Sequence, residues 1–376
     1  MKMKATRHDK IPGLYVHVPF CKSKCPYCDF YSVTSLSLIP AWLSGIKKEV
    51  LIYKDRFAYF DSLYLGGGTP TVISEPDLIH FVDYLFTHFS FSPDSEISIE
   101  ANPDDITKEK LNLLRTMGVN RISLGVQSFN DHDLCYLNRR HTVWQTMRAL
   151  EMIRSSGFTN IGIDLMYGLK DQSKTDWVTI LKQGLDYRPE HISCYQLTIK
   201  KGTKFKHKKV QPPDEEKERL LFMVTSELLE QAGYLHYEVS NYAREAKYIC
   251  RHNYKYWNHT PYLGLGPAAH SFFSNKRWWN VKSIKKYCEL LQKNTPPLAG
   301  KESLTDEQLR LEYLCLGLRT NEGIDSRFLY NRSALKNILQ ELQDAKLVRV
   351  KGRRVIPTRE GFLFADSLPL FLSESS

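Results

Sequence analysis

Nowhere in the 376 residues is there an apolar run approaching the roughly 18 residues that a membrane-spanning helix needs. No C-terminal lipidation box, internal repeat or low-complexity tract is present, so neither a lipid anchor nor a solenoid is indicated. The basic N-terminus, MKMKATRHDK, is not followed by a small-residue cleavage site, and the apolar stretch at 11–20 is broken by His17 and two prolines. It reads as mature protein, and a cytoplasmic location is expected. With hydrophobic residues at 42%, the chain is too apolar to stay disordered, and its 20 glycines are too few for a collagen-like repeat. The eight cysteines do not form a disulfide framework: Cys21, Cys25 and Cys28 fall within eight positions, and the other five are scattered. In a reducing compartment, clustered thiols point to a metal site and scattered ones to core packing.

The length suggests two or three domains, or one large barrel with an appendage. A net charge of +10 raises an anionic partner: nucleic acid, anionic lipid, or a substrate bearing carboxylates or phosphates. That charge is uneven. Eighteen of the 52 basic residues lie in three short segments, 1–24, 200–209 and 346–359, with a single acidic residue among them, and the rest of the chain is net acidic.

Short β-rich runs at 14–18, 62–65, 96–100, 121–126, 160–165 and 191–197 alternate with helical spacing at 41–53, 75–89, 108–117, 142–155 and 174–185. Six such alternations predict an α/β fold with a parallel sheet and right-handed crossovers, short of the eight units of a closed barrel. Beyond Pro212 the pattern changes. A long amphipathic helix is predicted over 214–231, an aromatic-rich irregular stretch over 239–266, and a linker at 293–301. Helical stretches at 305–318 and 333–346, then a hairpin over 347–358 turning near Gly352, predict a winged-helix-like C-terminal unit.

Cys21, Cys25 and Cys28, spaced C-x3-C-x2-C directly after the first strand, can each offer a sulfur to a different iron of one iron–sulfur cluster, leaving the fourth iron open. A zinc site would usually pair cysteines as C-x2-C with two further ligands, and no second pair exists. The other chemistry-bearing residues gather at strand ends: Gly66, Gly67, Gly68 and Thr69 after the second strand, Glu100 and Asn102 after the third, Gln127 after the fourth, and Asp164 on the fifth. Ligands of parallel α/β folds collect at the carboxyl ends of strands. Bare glycine backbone there would admit a close approach and offer N–H donors to a polar ligand.

The cysteine spacing, with Tyr27 before the last thiol, resembles the radical S-adenosylmethionine superfamily. YVHVPFCKSKCPYCDF, YLGGGTP, IEANPD, RISLGVQSF, LNRRH, DLMYGL and YQLTI resemble, in order, one branch of it: the oxygen-independent coproporphyrinogen III dehydrogenases and the related HemW heme chaperones. The resemblance implies an open partial (β/α)6, TIM-like barrel. It implies a 4Fe-4S cluster on the three cysteines, whose open iron holds the amino and carboxylate groups of S-adenosylmethionine and whose electron can release a deoxyadenosyl radical. Tyr15, Tyr27, Gly67, Gly68, Thr69, Glu100, Gln127, Arg139 and Asp164 would contact S-adenosylmethionine. The domain limits implied are 1–235 for the barrel, 236–300 for an aromatic-rich extension, and 301–376 for the C-terminal unit.

Two features favour the chaperone branch. The dehydrogenases continue with a further cysteine two positions after the third, where this chain has Phe30, and His252-Asn253-Tyr254-Lys255-Tyr256-Trp257 resembles the HNxxYW motif of the heme chaperones. A histidine beside flat aromatics suits an axial heme ligand, which makes His252 the candidate; His17 reads as structural. Heme then joins the cluster and S-adenosylmethionine as a cofactor, and a heme-acceptor protein and an electron donor are the implied partners, with peripheral contact to a membrane-bound acceptor. The alternatives are a coproporphyrinogen III dehydrogenase and a nucleic-acid-directed radical protein. The last rests on the charge and on a wing at 351–354, and no recognisable RNA-binding domain accompanies it, so no nucleic-acid partner is expected.

Overall fold

The computed structural model describes residues 10–211, 213–329 and 332–373; the basic tract at 1–9 lies outside them. Six strands follow one another in parallel: β1 (Gly13–Val18), β2 (Tyr59–Gly67), β3 (Ser90–Ala101), β4 (Arg121–Gln127), β5 (Ile161–Tyr167) and β6 (His191–Gln196). Between them run α1 (Ile39–Tyr53), α2 (Glu75–His88), α3 (Lys108–Thr116), α4 (Asp131–Tyr136), α5 (Val143–Ser155) and α6 (Lys174–Asp186). Capping boxes at Thr142/Gln145 and Ser173/Asp176 fix the starts of α5 and α6.

Each strand alternates strictly. Leu14, Val16, Leu63, Leu65, Ile97, Ile99, Ile122, Leu124, Ile161, Ile163 and Ile192 are buried against helix residues such as Trp42, Phe81, Leu111, Leu150 and Trp177. The intervening positions are polar or glycine, and Tyr64, Glu100, Arg121, Ser123, Gly125, Asp164, His191 and Ser193 line a cavity inside the curved sheet. Parallel strands buried on both faces normally read as continuous hydrophobic runs. Here period two survives because the connecting helices pack only on the outer face.

The sheet continues past both ends of the six-strand set. After α7 (Lys204–His207) and α8 (Glu215–Gln231), β7 (Leu235–Glu238) and β8 (Asn241–Ala243) add antiparallel strands beside β6. After α9 (Arg251–Trp257), β9 (Tyr262–Leu265) pairs in parallel with β1, and β10 (His270–Phe273) and β11 (Lys276–Asn280) follow antiparallel. Past α10 (Ile284–Gln292), β12 (Leu298–Ser303) forms the far edge of an open twelve-stranded sheet. The stretch 239–266, expected to be irregular, thus holds β8, α9 and β9. The linker expected at 293–301 ends in a strand: the prolines at 296 and 297 follow the end of α10, and Gly300 in β12 then packs on Trp279, where a β-carbon would come within 2.3 Å of the indole.

A buried carboxylate fastens this extension to the barrel. Glu49 on α1 is 0% exposed and accepts hydrogen bonds from the Gly266 N–H (2.8 Å), Asn280 Nδ2 (2.6 Å) and the Tyr287 hydroxyl (2.5 Å). The C-terminal unit comprises α11 (Asp306–Gly317), β13 (Ile324–Asp325), α12 (Arg332–Asp344), β14 (Val348–Lys351), β15 (Arg354–Pro357), α13 (Arg359–Leu363) and α14 (Leu368–Ser373) around its own core of Leu314, Leu318, Val348, Val355 and Leu368. Its hairpin turns at Gly352 (φ +59°), where only glycine sits without strain. Backbone bonds from Val239 N–H to Arg319 O and from Asn321 N–H to Tyr237 O join it to the β7–β8 corner. Among the described residues no helix is long and apolar enough to cross a membrane.

Replacing Glu49 with Ala strands three buried donors at once. Glu49→Ala is expected to cost on the order of 3–5 kcal/mol, read as a lower urea midpoint.

Candidate functional site

The cavity inside the sheet has a volume of about 410 Å³ and runs from Cys21, Cys25 and Cys28 at one end to Arg121, His191 and Cys250 at the other. The thiol end lies past the carboxyl termini of the strands, because the cysteine loop leaves β1 after Val18. All three thiols are half-buried. Burial pushes the Cys28 thiol up to about 11 and also raises that of Cys21.

An arc of hydrogen bonds connects two of the sulfurs across the cavity mouth. The Thr69 hydroxyl donates to Cys21 Sγ (3.7 Å) and accepts from Asn102 Nδ2 (3.0 Å); Asn102 Oδ1 accepts from Arg139 Nη2, and Arg139 Nη1 donates to Cys25 Sγ (3.5 Å). Arg139 therefore belongs to the cavity wall and not to the outer surface, and its neighbour Arg140 pairs with Asp104. Donors aimed at sulfur stabilise the thiolate form that a metal needs. Among the described residues no three His, Cys, Asp or Glu side chains converge on a single ion. Three thiols spread along one loop, facing one cavity and bonded from outside, suit a cluster that presents a separate iron to each.

The glycine-rich turn packs closely against the chain while lining the cavity. A β-carbon on Gly67 (φ +106°) would meet His17 Nδ1 at 2.4 Å, and one on Gly68 would meet Phe20 O at 2.5 Å. The N–H groups expected to face a ligand are spent inside the protein: Gly67 on Glu100 Oε2 (2.9 Å), Gly68 on Val18 O (2.8 Å) and Thr69 on Phe20 O (2.7 Å). These bonds seat the cysteine loop on β2. His17 joins the same assembly, with Nε2 bonded to the Tyr31 carbonyl (2.8 Å) and Nδ1 to the Tyr15 hydroxyl (3.0 Å). A carbonyl only accepts, so Nε2 carries the proton, and burial lowers the ring's pKa to about 4. Nδ1 then accepts from Tyr15.

The remaining candidates divide by position. Tyr27, Gly67, Gly68, Thr69, Glu100, Gln127, Arg139 and Asp164 all line the cavity, whereas Tyr15 stands behind Tyr64, with ring centroids 6.2 Å apart. Glu100 accepts from the Tyr64 hydroxyl (2.9 Å), and burial raises its pKa to about 7; burial raises Asp164 too, against bonds from the Ser123 hydroxyl. Two buried carboxyls of this kind favour a cationic ligand, whose charge would return them to the ionised form. Gln127 holds a left-handed backbone (φ +66°) at the cavity wall.

The hexapeptide of α9 closes the opposite end, beside the strand starts. His252 is 0% exposed, with Nδ1 bonded to Ser62 Oγ (3.1 Å), Nε2 to the Tyr256 hydroxyl (2.9 Å), and its ring stacked on Tyr64. Burial lowers its pKa to about 3. Glu96 caps the helix through Arg251 N–H and His252 N–H (3.0 Å each), and Lys255 pairs with Asp61 (2.6 Å). Residues absent from the sequence reading include Tyr64, Arg121, Ser123, His191, Ser193 and Tyr195. Their signal was present: every second residue in supposedly buried parallel strands is polar.

The Radical SAM superfamily model matches residues 15–183. The chain is 32% identical over 366 residues to the heme chaperone HemW of Mycobacterium tuberculosis, covering 95% of this chain and 93% of that protein. It is likewise 32% identical to the heme chaperone HemW of Bacillus subtilis, over 94% and 97%. Among solved structures it is similar to coproporphyrinogen III oxidase (HemN) from Escherichia coli, a radical SAM enzyme, with a TM-score of 0.85 and 25% identity over 99% of this chain and 92% of that one.

His17 sets an acid limit. Its folded pKa of about 4 lies below the ordinary 6.5, so the unfolded chain binds the extra proton. The stability it contributes is complete above pH 6.5 and is lost as pH falls toward 4. The advantage of the wild type over His17→Gln is expected to shrink by about 3 kcal/mol between pH 7 and pH 4, measured by urea unfolding at each pH.

Proposed function

Since the chain belongs to the family of the heme chaperone HemW, within the radical SAM superfamily, we propose that it binds heme and passes it to an acceptor protein. The observation that carries this reading is similarity to those chaperones along almost the entire length of both chains. Phe30, in place of a further cysteine, stands 63% exposed at the cavity rim and supports the same branch.

Cys21, Cys25 and Cys28 would hold a 4Fe-4S cluster, and Thr69 and Arg139 would donate to two of the sulfurs. When bound, such a cluster supplies single electrons and an open iron for the methionine end of S-adenosylmethionine. Glu100 and Asp164 would meet hydroxyls or cationic groups of that ligand, and Gln127 and Tyr27 would form the adjoining wall. An electron donor would dock near the cysteine loop. His252 is the candidate heme ligand carried by the hexapeptide. Both its nitrogens are already hydrogen-bonded, so ligation would require α9 to release the Tyr256 or Ser62 contact.

A second reading, coproporphyrinogen III dehydrogenase, is favoured by the fold match to the Escherichia coli oxidase. An anaerobic assay of the reconstituted protein separates the two. Heme uptake and transfer without porphyrinogen turnover is expected, and turnover would replace the chaperone reading.

Alanine at all three cysteines is expected to abolish the brown chromophore and the bound iron together; full iron content in that variant would remove the ligand assignment. Heme titration of His252→Ala is expected to alter the absorption spectrum of the complex, and an unchanged spectrum would exclude His252 as a ligand.

A further inference from the structure

The proposed function uses the cavity's thiol end and His252, and gives Arg121 and His191 no role. That end carries Arg121 and His191, the first residues of β4 and β6. Arg121 is 2% exposed, and a guanidinium keeps its charge at any pH a folded protein meets. A buried charge is costly unless an opposite charge or a full set of hydrogen bonds meets it. Nη1 of Arg121 donates to Asn160 Oδ1 and to the Tyr248 carbonyl (3.0 Å each), and none of the described residues forms an ion pair with it. Glu96 and Asp164 attract it through space but hydrogen-bond other groups, Glu96 the start of α9 and Asp164 the Ser123 hydroxyl.

His191 is also 2% exposed. Its Nε2 is bonded to the Tyr237 hydroxyl (2.7 Å), and its Nδ1 is buried without a partner. Three polar atoms converge beside Gly162. From the position a β-carbon would take there, His191 Nδ1 and Ser123 Oγ lie at 3.6 Å and Arg121 Nη2 at 3.7 Å. Glycine keeps that space open.

We infer that this cradle receives a carboxylate of a ligand entering the cavity, apart from the residues assigned to S-adenosylmethionine. A guanidinium fork matches the two oxygens of a carboxylate. His191 adds a second donor in the tautomer where the Tyr237 hydroxyl donates to Nε2, while the Ser123 hydroxyl stays on Asp164. One cation close to Glu96 and Asp164 accommodates a single negative charge and disfavours a phosphate dianion. The carboxylate belongs either to a propionate arm of heme or to a small carboxylic acid, and the inference holds for both.

The test titrates the full chain with heme, with heme dimethyl ester and with sodium succinate, in the wild type and in two variants. Arg121→Gln removes the charge, and Gly162→Val fills the cradle with Arg121 intact. If the arm is a propionate, the wild type binds heme about ten-fold or more tighter than the ester, and both variants lose that preference. If it belongs to a small acid, heme and ester bind alike, and succinate shifts the imidazole nitrogen resonances of His191 in the wild type but in neither variant. Equal heme and ester affinities with no succinate shift would overturn the inference. Failure to bind either porphyrin would overturn the heme reading, and the succinate result alone would then decide the cradle.

Discussion

Everything in this molecule depends on the strands alternating between an apolar outer face and a polar inner one. The helices that connect the strands cover only the outer face, so the residues between the packed Leu, Ile and Val positions are free to carry chemistry. A conventional closed barrel fills its interior with branched side chains. This sheet stays open, with edges at β12 and β7, and keeps its inner face for tyrosines, carboxyls, an arginine and a histidine. Stability is supplied from outside the site, so the site need not be a core.

The two ends of the interior are built on different terms. At the thiol end, bonds through Thr69, Asn102 and Arg139 connect Cys21 with Cys25, and the glycine turn holds the loop against β2. At the other end α9 acts as a plug whose polar groups are almost all satisfied within the protein. Tyr64 spans the distance between them, with its ring on His252 and its hydroxyl on Glu100. A change at the hexapeptide can therefore reach the thiol half of the cavity through one rigid ring.

The six parallel strands, the helices between them and the C-terminal hairpin were legible because each rests on local pattern: period two, capping residues, a glycine at a turn. The cysteine loop was legible from spacing alone. For glycines 67 and 68, nothing local reveals that His17 and the Phe20 carbonyl occupy the space they leave. The proline–glycine stretch before β12 resembled a linker because the flat indole of Trp279, twenty-one positions earlier, is what makes Gly300 a strand residue. His252 illustrates the same limit. Its aromatic neighbours were visible in the sequence, but its bond to Ser62, 190 residues away, was not.

The pairing of β1 with β9 also orders events in time. Gly13 and Tyr262 are register partners, so the outer edge of the first strand has no mate until about 250 further residues have been synthesised. At ordinary elongation rates that interval lasts on the order of ten to fifty seconds. Throughout it the segment LYVHV presents unpaired backbone on one side, the kind of edge that recruits other chains. The segment that closes this edge is the one that follows the plug.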